Sequence, residues 1–175
     1  MEYTVLYSTR KTISISVRGG VLVVKAPIGI DKNRIEKLLK EHSDWIESHL
    51  EKEIELDKIY SSLDDKKINE LRSSARAYFT EKTRYFAEIM GLEYKKIRIS
   101  SAISRFASCS SRGNISYSYR LMLYPEDCRE YVVVHELAHL IEMNHSRRFW
   151  SIVERYIPNY KKSREELKKV PQILK

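Results

Sequence analysis

Between residues 12 and 18 polar and apolar positions alternate, with Ile13, Ile15 and Val17 set against Thr12, Ser14, Ser16 and Arg18. That is the period of a half-buried strand. Gly19-Gly20 marks a hairpin turn, and Val21-Leu22-Val23-Val24, apolar on both faces, returns as a covered strand. Residues 3–26 therefore read as antiparallel β structure, closed by Pro27 and Gly29. After Asp31, a good N-cap, the spacing becomes helical. Ile35, Leu38, Leu39, His42, Trp45, Ile46 and Leu50 predict one long helix running towards residue 55. Residues 56–65 read as a break. A second helix is expected from about Asp65 to Met90, with Ile68, Leu71, Ala75, Tyr78, Phe79, Phe86 and Ile89 inward and Gly91 as its stop. Tyr94–Ser100 alternates as a strand, and two more strands are expected around Arg105–Ser110 and Asn114–Tyr119, before Pro125. A helix over Tyr131–Met143 follows, then one over Ser146–Tyr156, an interruption at Pro158 and a basic helix from near Tyr160. The pattern is that of an α+β protein.

Composition narrows this picture only a little. With 175 residues, 42% hydrophobic and 32% charged, the chain suits one domain, or a compact domain with an appendage. No apolar run approaches the ~18–20 residues that span a bilayer. The first residues, Met1-Glu2-Tyr3-Thr4, lack the basic start and apolar core of a signal peptide. Cys109 and Cys128 form no disulfide framework, so a reducing, cytoplasmic setting is expected. The net charge of +8 is uneven: residues 31–60 carry 9 acidic and 6 basic side chains, and residues 146–175 carry 9 basic and 3 acidic. A basic tail attracts nucleic acid or acidic protein weakly, through charge alone, although a solvated helix face is the plainer reading.

The chemistry concentrates in His135-Glu136-Leu137-Ala138-His139. At ~3.6 residues per turn the two histidines lie about 40° apart around a helix, so both imidazoles leave one face and can grip a divalent metal. Such a motif is expected by chance in roughly 0.014 shuffled chains of this composition, which is not negligible across many proteins. His145 strengthens it. Asn144 tolerates the left-handed conformation that ends helices and Ser146 can cap the next one, so His145 falls in a turn and can supply a third ligand. Three histidines leave one position open, as in catalytic rather than structural zinc. Glu136, about 100° from His135, faces the water there as a general base and acid.

Other residues carry weaker signals. Tyr117, Tyr119, Tyr156 and Tyr160 are available as oxyanion donors, and nothing in the sequence chooses among them. If Asn114–Tyr119 is an edge strand, it can pair with an extended substrate. The spacing of the three histidines equals that of metzincins, which have Gly where this chain has Glu142; that carboxylate can ligate the metal, orient His145, or simply pair at the surface. Cys109 is either an inert buried thiol or a fourth ligand. His42 and His49 lack metal-like partners, and Phe149 and Trp150 read as core anchors for the helix after His145.

Taken together, Tyr131 to His139, Met143-Asn144-His145-Ser146, Phe149-Trp150 and Pro158-Asn159-Tyr160-Lys161 resemble the YgjP-type metallopeptidases, minigluzincin-like zincins related to the SprT and Wss-type proteases. Ser108 to Ser116, Arg10 to Ile15 and Trp45-Ile46 fit as well, so the resemblance covers nearly the whole chain. Phe106-Ala107 stand where the family has Trp-Gly, and Ser118-Tyr119-Arg120 where it has Asn-Trp-Arg. The resemblance implies a zincin-like α+β catalytic unit over residues 61–175, with its active-site helix and small mixed sheet, behind a β-hairpin and helix extension over residues 1–60. It further implies Zn2+ held by His135, His139 and His145, Glu136 as catalytic acid/base, and a peptide or protein substrate. The competing expectation is a basic, nucleic-acid-associated module in which zinc only fixes the fold. The sequence gives no oligomeric state.

Overall fold

The computed structural model describes residues 2–18, 20–103 and 105–169. The chain forms two compact units, Met1–Ser62 and Leu63–Lys175.

In the first unit, β1 (Tyr3–Ser8), β2 (Ser14–Arg18) and β3 (Val21–Pro27) form one sheet in the order β1-β3-β2. The β2–β3 hairpin is antiparallel, but β1 pairs parallel to β3, contrary to the all-antiparallel expectation. β3 is the central strand, and Leu22, Val24 and Ala26 are buried on one face; Val21 and Lys25 on the other are exposed, so the strand is not covered on both sides as expected. Of the expected Gly19-Gly20 turn, Gly19 lies outside the described residues, and Gly20 has the left-handed φ of 73° that such turns need. The predicted single helix is two: α1 (Lys32–Glu41), capped by Asp31, and α2 (Ser43–Ser61). His42 breaks them, its backbone at φ −114°, ψ 20° and its ring Nδ1 2.9 Å from the Leu38 carbonyl. Ile35, Leu39 and Ile46 face the sheet, whereas Trp45 is exposed and stacks on His49. α2 also runs on through most of the expected break.

The second unit is built on α3 (Asp65–Met90) and a mixed sheet of β4 (Lys96–Ser100), β5 (Ala107–Cys109) and β6 (Asn114–Ser118) in the order β4-β6-β5. Asp64 caps α3 by accepting from the Lys67 amide at 2.7 Å, and Gly91 ends it at φ 65°. Ala75, Phe79, Thr83, Phe86 and Ala87 form its buried stripe; Ile89, expected inward, is exposed because it falls off that stripe. β6 is central and runs parallel to β4 and antiparallel to β5, so the condition for substrate pairing at Asn114–Tyr119, a free edge, is not met. A 3-10 turn, Tyr119–Leu123, follows it.

α4 (Glu126–Ala138) is buried almost all round, through Tyr131, Val132, Val133, Val134, Leu137 and Ala138. Three consecutive valines are poor helix formers, each costing a few tenths of a kcal/mol to ~0.7 against alanine. Burial of each side chain returns about 1.5–3 kcal/mol, so tertiary packing decides. Lys82 from α3 ties the amino-terminal half of α4 down through Glu126 and Glu130, and Arg129 lies 4.4 Å over the Tyr78 ring. α5 (Arg147–Tyr156) and α6 (Tyr160–Glu166) complete the unit, separated at Pro158 as expected. Among the described residues no helix is long and apolar enough to cross a membrane.

Candidate metal centre and active site

α4 stops at Ala138, not at Met143, and His139 is its C-cap. The amides of Leu140 and Ile141 fall back on the carbonyls of Leu137 and Ala138 at 3.0 Å each, a tightened last turn that swings the chain round. Asn144 does not supply a left-handed residue: among the described residues only glycines have positive φ. Ser146 does cap α5, its Oγ accepting from the Phe149 amide at 3.3 Å. His145 therefore sits in the turn between α4 and α5, facing back towards α4.

The result is a cluster of three imidazoles. One ring nitrogen from each of His135, His139 and His145 lies within 4.8 Å of the others, and Nε2 of His145 is 3.1 Å from Nε2 of His135. The outer nitrogens are held. Nδ1 of His135 is 3.3 Å from the Tyr131 hydroxyl, and Nδ1 of His139 donates to the Glu142 carbonyl at 3.2 Å. A Nδ1 that donates, as at His139, leaves Nε2 with the lone pair that a metal needs. Burial, and then the neighbouring histidines, push His135 down to about 3; burial also lowers His139. Both rings are thus neutral at pH 7. Two imidazoles bound to a tetrahedral ion at ~2.0–2.1 Å place their nitrogens ~3.3 Å apart, so the donor set fits a small divalent cation.

Phe149 and Trp150 do more than anchor α5. The Phe149 ring is fully buried, with centroids 4.9, 4.6 and 4.8 Å from those of His135, His139 and His145. Trp150 stacks on His145 at 5.6 Å and on Tyr160 at 5.3 Å.

Glu136 lines a cavity of about 320 Å³, as do His135, Tyr131, Phe106, Arg164 and Leu167. The carboxylate is 5% exposed, and its Oε2 has no hydrogen-bond partner among the described residues. Burial raises its pKa to about 8. A partnerless buried carboxylate is costly, and such groups collect where chemistry is done.

Other expected residues lie elsewhere. Tyr117 is in the core, stacked on Phe79 at 4.5 Å and bonded to the Thr83 hydroxyl at 3.0 Å. Tyr119 is buried between the guanidinium groups of Arg72 and Arg120, so neither tyrosine reaches the cavity. Glu142 contributes its carbonyl to His139, not its carboxylate to the metal cluster and not a bond to His145. Cys109 is half-buried outside the cluster, its pKa pushed up to about 11 by burial and then by the Glu136 charge. His42 and His49 are exposed and belong to no metal cluster among the described residues.

Two site residues escaped the sequence reading. Tyr131 precedes His135 by four residues, so the i, i+4 rule offered a signal for it. Arg164 arrives from α6, with its guanidinium 5.0 Å over the Trp150 ring, and no local spacing announces it.

A histidine triad that could hold a metal ion thus lies beside a buried carboxylate. The YgjP-like metallopeptidase domain matches residues 60–170, and the chain belongs to that family. No curated protein sequence matches the chain. Among solved structures, the crystal structure of the metallopeptidase zymogen of Pyrococcus abyssi abylysin is 25% identical, with a TM-score of 0.47 over 51% of this chain and 90% of that one.

Proposed function

We propose that the chain is a zinc-dependent peptidase in which His135, His139 and His145 hold the ion and Glu136 moves the proton. One observation carries this reading: three imidazoles converge beside a buried carboxylate that has no partner and opens onto a cavity. Zinc, when bound there, supplies a Lewis acid that polarises the peptide carbonyl and brings the pKa of water to about 7. Glu136 accepts a proton from the attacking water and delivers it to the leaving amine as the C–N bond breaks. Its raised proton affinity suits a group that must both take and return a proton. Two cationic side chains line the same cavity, Arg164 and Lys168; Lys168 pairs with Glu165, and Arg164 meets the charge that develops on the carbonyl oxygen. β5 is an edge strand and its Ala107 lines the cavity, so an extended peptide lies along that edge.

A purely structural zinc would have all four positions filled by protein. The cluster holds three histidines and no fourth protein ligand among the described residues, which favours catalysis over the structural alternative. The test is proteolysis of an unbiased peptide library with and without zinc, alongside zinc titration of His145→Ala. Metal-dependent cleavage and a large loss of zinc affinity in the variant are expected. Unchanged zinc affinity would move the third ligand elsewhere, and cobalt-substituted protein with a thiolate spectrum would give Cys109 the fourth position.

A further inference from the structure

On α3 the positions Asn69, Arg72, Ser73, Arg76 and Ala77 follow the i, i+3, i+4, i+7, i+8 spacing of a single stripe. They line one wall of a groove of about 770 Å³ whose other wall is the edge strand β4, through Arg98, Ile99 and Ser100, ending at Ser101. No acidic residue lines it. Arg72, Arg76 and Arg98 make no ion pair among the described residues, although the chain has 24 carboxylates to offer. Lysines elsewhere, such as Lys67, Lys168 and Lys169, do find glutamates.

The groove is also preorganised. Arg72 donates to Ser101 Oγ at 2.7 Å and lies 5.5 Å from the Tyr119 ring centroid, so its guanidinium is fixed from two sides. That costs one of its five donors and leaves the fork available. One helical turn on, Arg76 stands about 6 Å further along the axis. Three like charges facing one groove repel unless an anion sits among them.

We propose that this groove binds the phosphate backbone of single-stranded nucleic acid. Guanidinium forks match phosphate oxygens in pairs, and the hydroxyls of Ser73 and Ser101 donate to the oxygens left over. The net charge of +8 draws a polyanion in from a distance. A recess between a helix and a strand edge admits one flexible chain, whereas a duplex meets only its rim. The site differs from the basic tail on which sequence placed such affinity, and it does not depend on the peptidase reading.

The experiment is fluorescence anisotropy of a labelled oligothymidylate with the 175-residue chain over a salt series. Wild type binds with an affinity that falls as salt rises. The triple variant Arg72→Gln/Arg76→Gln/Arg98→Gln flattens the slope of log K against log salt by about 2, from three lost phosphate contacts at ~0.7 each. The corresponding triple lysine variant keeps the slope, which separates charge from folding. Arg76→Glu alone, at an exposed helix position, weakens binding at least about tenfold. A control, Lys161→Gln/Lys162→Gln, leaves the groove slope in place. Absence of binding by wild type, an unchanged slope in the glutamine triple, loss confined to the tail control, or equal binding of a polyglutamate peptide overturns the proposal.

Discussion

Removing the Phe149 ring should damage stability and metal affinity together. The ring is fully buried, and its contacts run to all three imidazoles and, at 5.1 Å, to Trp150. Phe149→Ala forfeits the transfer free energy of the ring and leaves a cavity, about 3–5 kcal/mol in all. That is a large share of the roughly 5–15 kcal/mol by which a domain is stable. Phe149→Leu keeps much of the volume and should cost about 1 kcal/mol. Both variants remove the flat surface against which the imidazoles rest, and groups that orient ligands typically contribute about 10–100-fold to metal affinity. Urea unfolding in the presence of a chelator reads stability, and competition with a chromophoric chelator reads zinc affinity. Zinc at a thousand times its Kd should restore about 4 kcal/mol to wild type. Wild-type zinc affinity in the leucine variant would refute the positioning role, whatever its stability.

Tyr131→Phe removes the hydroxyl against Nδ1 of His135 and should weaken zinc by about 10-fold or more in the same competition assay, with little change in unfolding midpoint. Arg164→Ala should lower kcat by about 10²–10³ with a smaller effect on KM, and Arg164→Lys should recover part of it, measured on any peptide the library yields. Thr83→Val leaves the buried Tyr117 hydroxyl without its partner and should cost about 1–3 kcal/mol in urea unfolding. Gly91→Ala forces a Cβ into the left-handed region at φ 65° and should cost about 1–2 kcal/mol in the same assay, although no atom lies within 4 Å of that Cβ.

Elements with strong local punctuation were legible from the sequence. Asp31 caps α1 and Ser146 caps α5 through their own side chains, Gly91 ends α3 with its left-handed backbone, and Pro158 separates α5 from α6. Readings that depended on partners distant in sequence went astray. Strand direction in the first sheet depends on pairing between distant segments, and Tyr3–Ser8 carries no mark of lying parallel to β3. Likewise Asn114–Ser118 has the same alternation whether it is central or at an edge. α4 and the long helix after Asp31 both end early. His139 and His42 have ordinary helical propensity, and the hydrogen bonds made after them, not their type, stop the chain. At the site, the spacing of His135, His139 and His145 was enough to foresee that their rings meet. Arg164 and the cavity it lines were not visible, because α6 reaches the site only through tertiary packing.

The central claim is that Glu136 transfers the proton without holding the metal. Glu136→Gln keeps the side chain's shape and removes its basic carboxylate, so zinc content, measured by competition, and the unfolding profile should match wild type. Hydrolysis of a peptide that zinc-loaded wild type cleaves should fall by about 10²–10⁴-fold. Zinc-loaded Glu136→Gln protein that cleaves the same peptide at close to the wild-type rate would contradict the account.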